Sequence, residues 1–308
     1  MVQVAALKSA DSPRVSILIP SYNYARYLPG ALDSVRSQSF DDWQAVIVDD
    51  GSSDASLNIA RDYATSDSRF HVLCHPDGKN HGLAASLRLA LRNASAPLVA
   101  FLESDDAWRG DTLETRLNFW NRHADPAMLF DLPIIVQEGT RSLGYYYRLM
   151  KVLERVQARR SPPSVSAREL LAVNLVPSFS GVLARRDLLE ACSFDSPVPP
   201  LLDKWLWQQI AFSGPCLFLC RTNFFWRFHD NSYMSAAPQE NNASGTNEFR
   251  TRTRQLLLPR CFKEKRLGLV PALMFSSLHS IMVRAFLKFR AEGLKGIGRA
   301  ALRRFHGK

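Results

Sequence analysis

The chain has 308 residues, of which 46% are apolar and 22% are charged, and this is the composition of a globular protein with a substantial core. Its length allows one large domain or two small ones. The net charge of +10 is concentrated near the end, because residues 241–308 hold 15 Lys and Arg against 3 Asp and Glu. Residues 1–240 form a slightly acidic body. The distribution excludes a uniformly basic protein and indicates an anionic partner for the C-terminal region alone.

Several features concern the compartment and the partners. The five cysteines are scattered without a zinc-like pairing, which favours a reducing environment, and the first 14 residues lack the pattern of a signal peptide. We therefore expect a cytoplasmic protein. The basic segment 267–308, with Phe286 and Phe289, suits a helix on anionic lipid at the inner face of the plasma membrane, or a helix docked on the rest of the chain. No nucleic acid is expected, since no recognised nucleic-acid-binding module accompanies the charge.

Strands and helices alternate through the first hundred residues. Short apolar runs predict strands at 14–20, 43–50, 70–75 and 97–106. Apolar residues at helical spacing predict helices within 21–40, 54–63 and 82–94. Each strand is almost continuously apolar, which is typical of a parallel sheet covered by helices on both faces.

The pattern after residue 110 is less regular. It predicts strands at 127–137 and 216–232, and a strand followed by a helix at 180–195. Helices are predicted at 112–123, 145–161 and 201–214. The polar segment 235–248 is the best candidate for a linker before the basic C-terminal region.

Polar residues gather where the predicted strands end, and in parallel sheets ligands bind beyond those ends. The run AFLESDDAW (100–108) places Glu103, Asp105 and Asp106 at the end of the fourth strand. Hard cations such as Mg²⁺ and Mn²⁺ bind carboxylate oxygens, and substrate phosphates complete their coordination shell. On its own, this run fits either a cation site or a solvated acidic turn.

The second strand ends in VDDGSSD (48–54), which contains ordinary turn residues. The carboxylate of Asp50 could accept a hydrogen bond from the N–H of a base such as uracil. Tyr22, which follows the first strand, could lie against the face of that base, or it could pack half-buried on the first helix.

Four segments in this order resemble the motifs of the family 2 glycosyltransferases of the GT-A fold. The first two are VSILIPSYNYARYLPGALDSVRSQSFDDWQAVIVDDGSSD (15–54) and FLESDDAW (101–108). The other two are LLDKWLW (201–207) and WRFHDNS (226–232). Each motif is short, but the four together, kept in order over about 15–235, are specific.

This resemblance implies an α/β protein of the GT-A fold, with a mainly parallel, Rossmann-like sheet flanked by helices. It implies a glycosyltransferase domain at 12–235. Residues 12–108 would form its nucleotide-sugar-binding half, and residues 109–235 its acceptor half. A linker and a basic amphipathic helical extension would follow at 236–308.

The resemblance also implies the roles of individual residues. Pro20, Tyr22 and Asp50 match positions that hold the nucleotide base. Asp105 and Asp106 match the pair that contacts the ribose and binds the metal bridging the diphosphate, so that Mg²⁺ or Mn²⁺ is the implied cofactor.

The later motifs complete the implied site. Asp203 matches the acid that acts as catalytic base in inverting members, and His229 matches a position that approaches the metal or the diphosphate in some relatives. Glu103 stands where the family has an Asp as the first acid of the metal motif, and its longer side chain could still reach the metal.

Two further positions depart from the family pattern. Leu202 replaces the Glu of a Glu-Asp pair, so that only Asp203 remains. Leu87 stands where the family commonly has an Arg, and Arg88 or Lys79 could take over that contact with the diphosphate.

These features predict an inverting glycosyltransferase. It would move a sugar from a nucleotide-diphosphate donor, expected to be a UDP-sugar, to a hydroxyl of a glycan or lipid-linked acceptor in surface polysaccharide or glycoconjugate synthesis. The metal would act as a Lewis acid on the leaving diphosphate, and Asp203 would take the proton of the attacking hydroxyl. Two alternatives stay open: a non-catalytic nucleotide-sugar-binding relative, and a nucleotidyltransferase that releases pyrophosphate.

Overall fold

A computed structural model describes residues 12–139, several helical positions between 147 and 155, and residues 163–230 and 243–274. The helix predicted at 145–161 lies mostly outside these residues, although its described positions, such as Leu153, are helical. The part of the basic segment after residue 274 also lies outside them.

The first half of the sheet is parallel, as the sequence predicts. Its strands lie in the order β3-β2-β1-β4 and have these bounds: β1 Val15–Ser21, β2 Trp43–Asp49, β3 Phe70–Cys74 and β4 Leu98–Phe101. The helices between them are α1 Leu28–Arg36, α2 Ser56–Ser66 and α3 Leu83–Arg92.

Alternating side chains of β1 and β2 explain why these strands read as continuous apolar runs. Leu18 and Val46 point to the face covered by α3, and Ile17 and Ile47 point to the face covered by α1. All four side chains are fully buried, because successive residues of a strand point to opposite faces and helices cover both.

The second half of the sheet is mixed. Strand β8 (Val182–Arg185) runs antiparallel to β4 and to β6 (Met128–Gln137), and β9 (Cys216–Phe228) runs parallel to β6. The short strands β5 (Ala107–Trp108) and β7 (Ser164–Val165) both pair antiparallel with β9. The predicted halves 12–108 and 109–235 therefore share one continuous sheet, and their functional division stays a prediction.

The helices of the second half surround this sheet. They are α4 Thr112–Trp120, α5 Ala167–Ala172, α6 Arg186–Glu190 and α7 Leu202–Ile210. Helix α5 begins with a capping box, in which Ser166 and Glu169 satisfy each other's backbone N–H groups.

The predicted end of the fourth strand is wrong. The strand ends at Phe101 and not at residue 106, because the acids turn back on themselves with Asp106 N–H donating to Glu103 O over 3.0 Å. The first helix, predicted within 21–40, begins at Leu28, where Pro29 favours its first turn. Residues 22–27 form the loop that precedes it.

The C-terminal region is helical over α8 (Ala243–Lys263) and α9 (Val270–Met274), so the last six residues of the predicted linker belong to a helix. Buried side chains recur every four residues along α8, and they are Phe249, Thr253, Leu257 and Cys261. Spacing of four residues puts them on one face, with which α8 docks on the domain. Among the described helices, none is long and apolar enough to cross a membrane.

Candidate active site

The acidic loop, Glu103–Asp106, follows β4 at the carboxyl edge of the sheet. Asp106 is its most buried carboxylate. Its Oδ2 accepts a hydrogen bond from Ser180 Oγ over 2.6 Å, and its Oδ1 accepts one from Arg227 N–H over 3.0 Å. Only 2% of Asp106 is exposed. Both oxygens of this side chain therefore already accept hydrogen bonds from the protein.

Glu103 is held by the same turn of the chain. Ser178 Oγ donates to Glu103 Oε2 over 2.6 Å, and Glu103 N–H donates to Ser180 Oγ over 3.0 Å. The turn is a single 3-10 turn over Phe179–Gly181 that leads into β8. It thus contacts both the first and the last acid of the loop.

Asp105 points to the other side of the site, where His229 follows β9. His229 Nε2 lies 3.2 Å from Asp105 Oδ2. The imidazole stacks on the ring of Tyr27 with 4.6 Å between centroids, and the edge of Tyr24 meets it at 5.7 Å. His229 is 6% exposed and lies beside the acidic loop.

The electrostatics of the loop reflect crowded carboxylates. Burial, and then the neighbouring Asp105, raise the pKa of Glu103 to about 8. The same two causes, followed by Glu103, raise the pKa of Asp106 well above its usual range. In the described part of the chain, no Lys or Arg forms an ion pair with any of these three acids. The concentrated negative charge lacks a compensating protein cation there.

The side chains at this site suit a hard divalent cation, since they combine carboxylates with one imidazole. Within the described residues, however, no three His, Cys, Asp or Glu side chains are grouped closely enough to enclose an ion. A site of this kind needs ligands from a bound diphosphate. The predicted ligands that lie here are Glu103, Asp105, Asp106 and His229, and both oxygens of Asp106 also accept hydrogen bonds from the protein.

Asp203 belongs to the same region. It lies in the first turn of α7, and Asn174 Nδ2 donates to its Oδ2 over 2.7 Å. Its charge contributes to the raised pKa of Glu103. Trp205 and Trp207, which follow it, are 4% and 1% exposed and pack in the core, so neither offers a face to a sugar.

The second group of predicted site residues lies at the ends of β1 and β2. Tyr22 is 45% exposed, so part of its side chain faces solvent. Its loop is held from the second strand's turn, where Ser52 Oγ accepts from Asn23 N–H and Asp54 Oδ2 accepts from Ala25 N–H. Pro20 lies in β1 beside Val48 of β2.

Asp50 also anchors a loop. Its two oxygens accept hydrogen bonds of 2.8 Å from the N–H groups of His81 and Gly82, and His75 Nε2 lies 3.2 Å from its Oδ1. Gly51 has a φ of +75°, and a Cβ there would come within 2.7 Å of the Lys79 carbonyl carbon. The loop 77–82 therefore lies directly against the predicted base-binding turn.

Lys79 and Arg88, which could replace the arginine that the family commonly has at position 87, lie in different places. Lys79 lies on the loop beside Gly51, whereas Arg88 forms an ion pair with Asp195, 3.4 Å away. Leu87 is 1% exposed and belongs to the core.

Sequence reasoning missed the buried support beneath the acidic loop. Arg116 and Asp131 form a fully buried pair with N–O distances of 2.7 and 2.9 Å, and Arg116 also donates to Ser180 O over 2.8 Å. Asn223 Nδ2 donates to Asp131 over 2.7 Å. Trp108, which closes the acidic run in the sequence, donates from Nε1 to the same Ser180 O over 2.9 Å.

The fold is of the GT-A type found in glycosyltransferases, and comparison with known sequences gives the family. The sequence profile described as Glycosyl transferase family 2 matches residues 16–189, which is more than half of the chain. The chain belongs to glycosyl transferase family 2.

Two curated relatives illustrate the similarity. The chain is 37% identical over 128 residues to a putative teichuronic acid biosynthesis glycosyltransferase, TuaG, of Bacillus subtilis, covering 42% of this chain and 50% of TuaG. It is 35% identical over 108 residues to WfgD of Escherichia coli, a UDP-Glc:α-D-GlcNAc-diphosphoundecaprenol β-1,3-glucosyltransferase, covering 35% of this chain and 41% of WfgD. The chain thus matches half or less of the length of these relatives.

A solved structure supports the fold. The TarS fragment 1–349 of S. aureus in complex with UDP-GlcNAc superposes with a TM-score of 0.61 at 18% identity, covering 90% of this chain and 81% of that one. This likeness confirms the predicted GT-A fold with its mostly parallel central sheet.

Proposed function

We propose that the protein transfers a sugar, expected to be a hexose, from a UDP-sugar to a hydroxyl of a glycan or lipid-linked acceptor, with inversion at the anomeric carbon. The observation that carries this proposal is the convergence of Glu103, Asp105, Asp203 and His229 at the carboxyl edge of a GT-A sheet. The names of two relatives support a role in surface polysaccharide or glycoconjugate synthesis.

The donor would lie along this edge of the sheet. Tyr22, with Pro20 and Asp50, would contact the base, and the exposed ring of Tyr22 provides a stacking surface. The diphosphate would lie toward the acidic loop. A UDP-sugar is favoured because WfgD uses UDP-Glc and TarS was solved with UDP-GlcNAc.

A divalent cation, Mg²⁺ or Mn²⁺, would be held by Asp105 with Glu103 and His229 and by the phosphates of the donor. Its chemistry would be that of a Lewis acid that neutralises charge on the leaving diphosphate. The crowding that raises the pKa of Glu103 supports this assignment, since a cation would relieve the repulsion between the acids.

Asp203 would act as the base toward the acceptor. Its hydrogen bond from Asn174 Nδ2 orients the carboxylate that would accept the proton. A single displacement then proceeds without a covalent enzyme intermediate, because the acceptor hydroxyl itself attacks the anomeric carbon.

The test is a screen of UDP-sugars and GDP-sugars with Mn²⁺ or Mg²⁺, in which the released nucleotide is identified. We expect metal-dependent release of UDP. Release of pyrophosphate would identify a nucleotidyltransferase, and tight donor binding without turnover, with or without acceptors, would identify the non-catalytic relative. The coupling constant of the anomeric proton in the product shows whether the anomeric configuration has been inverted.

We further propose a peripheral association with anionic membrane through residues 267–308, which would keep the protein beside a lipid-linked acceptor. The exposed Phe262 and Leu267, with Lys263, Lys265 and Arg266 around them, support this proposal. Full-length protein should sediment with anionic vesicles at low salt and be released as salt rises, because exposed charges are screened. Equal sedimentation with zwitterionic vesicles would contradict it.

A further inference from the structure

The acidic loop contains three carboxylates with different surroundings. Asp105 faces His229, whereas Asp106 lies behind it with 2% of its surface exposed. Resting on the function proposed above, we propose that Asp106 is a positioning residue rather than a metal ligand. It fastens the acidic loop to the Ser178–Ser180 turn and to the end of β9.

The hydrogen bonds of Asp106 carry this inference. One oxygen accepts from Ser180 Oγ and the other from Arg227 N–H, so the side chain bridges two segments that are 47 residues apart in the sequence. Arg227 lies two residues before His229. The bridge therefore fixes the distance between the carboxylate of Asp105 and the imidazole that it meets at 3.2 Å.

The turn that receives Asp106 is itself held rigidly. Arg116 Nη2 and Trp108 Nε1 both donate to Ser180 O, and Ser180 N–H donates to Ser178 Oγ. A Cβ on Gly181 would come within 2.8 Å of the ring of Phe224, so the turn and β9 are in close contact there. Ser178 and Ser180 thus hold the carboxylates of Glu103 and Asp106 in position.

Substitution by Asn separates positioning from metal binding. An Asn at 106 keeps an acceptor oxygen for Arg227 N–H, and its amide can donate to Ser180 Oγ because a hydroxyl can accept as well as donate. It has lost the charge that a metal ligand would supply. A positioning role therefore survives Asp106→Asn but not Asp106→Ala, whereas a metal-ligand role survives neither.

The first experiment measures Mn²⁺ binding to the full chain in the presence of UDP, by electron paramagnetic resonance of the free ion. We expect Asp106→Asn to keep the Mn²⁺ affinity within about threefold, since its hydrogen bonds are retained. The matched variant Asp105→Asn should lose at least about fiftyfold, because the open carboxylate supplies the charge. Equal losses in both variants, with native circular dichroism, would overturn the proposal.

The second experiment needs no metal. Urea unfolding of Asp106→Ala, Ser180→Ala and the double variant forms a mutant cycle. If the two side chains act as one bridge, the unfolding constant of the double variant should differ about fivefold or more from the product of the single effects. If the effects of the two single variants simply multiply in the double variant, the two side chains do not act as a bridge and the proposal is wrong. If wild-type protein binds no Mn²⁺ with UDP, the proposed function fails, and this cycle still decides the positioning role.

Discussion

The two ends of the proposed donor site are built in different ways. "Base end" denotes here the turns around Tyr22 and Asp50, and "acidic end" denotes Glu103–Asp106 with their partners. The base end is assembled from residues 20–82, which follow one another through three parallel strands. The acidic end combines a loop, the turn at 178–180 and the end of β9. The base end is thus formed by residues near one another in the sequence, and the acidic end by segments that are far apart in the sequence.

This difference predicts which substitutions change function without changing stability. At the base end, an exposed side chain can be removed without cost to the fold. At the acidic end, the carboxylates rest on a fully buried ion pair, so changes to the support affect the fold as well as the chemistry. Four substitutions test this contrast.

The largest effect is expected for Asp203→Asn, which removes the proposed base at the acidic end. Transfer should fall by about 10²–10⁴, the usual range for a positioned acid–base group. Donor affinity should stay near that of the wild type, because Asp203 is assigned to the acceptor. Steady-state transfer and calorimetric donor titration measure the two quantities. A parallel fall in both would assign Asp203 to the donor site.

Arg116→Met tests the support beneath the acidic end. It leaves Asp131 buried and unpaired, and we expect the free energy of unfolding to drop by about 3–5 kcal/mol. The control Arg88→Met breaks the exposed pair with Asp195 and should cost only about 0–1 kcal/mol. Urea unfolding measures both. The double variant Arg116→Met, Asp131→Leu should recover stability, and a further loss would show that the pair does more than neutralise charge.

Tyr22→Ala probes the base end. Stacking on an aromatic ring contributes roughly 1–3 kcal/mol per base, so UDP affinity should fall about tenfold to a hundredfold. Stability should change by less than about 0.5 kcal/mol, because Tyr22 is a loop residue with 45% of its surface exposed. Tyr22→Phe is the matched control and should bind UDP like the wild type. Unchanged affinity in the Ala variant would remove Tyr22 from the donor site.

The last test concerns pH. The carboxyl of Glu103 has a pKa of about 8 in the folded chain against an ordinary value of 4.5. The folded state therefore binds more protons between these values, and the free energy of unfolding should fall as pH rises from 4.5 to 8. Glu103→Gln should flatten this slope in metal-free urea unfolding measured across that window. An unchanged slope would assign the effect to another group, such as Asp106.

The same contrast explains how much could be predicted from the sequence. The parallel half of the sheet followed from apolar runs such as VSILIP, because both faces of its strands are buried. The motif residues Asp105, Asp203 and His229 were named through the family resemblance, and the structure places His229 Nε2 3.2 Å from Asp105 Oδ2. The strand end at Phe101 was placed too late, since apolar periodicity does not reveal a turn formed by acids.

The support of the acidic end had no comparable signal. Arg116 resembles an ordinary polar position of an amphipathic helix, and Asp131 interrupts an apolar strand without indicating its partner. Ser178 and Ser180 are common turn residues. Their pairing depends on β8 and β9 meeting the acidic loop in three dimensions. A single sequence does not contain that information in any local pattern.

Strand β5 has a consequence for the order in which the protein is made. Ala107 and Trp108 pair with Phe225 and Phe224, so the acidic loop is completed by a strand synthesised more than a hundred residues later. Such a long closure is slow and entropically costly. A nascent chain that has not yet released β9 from the ribosome lacks the Arg227 N–H group that holds Asp106. The proposed sugar transfer should therefore begin only after β9 has emerged, even though the strands that carry the base end can pair earlier.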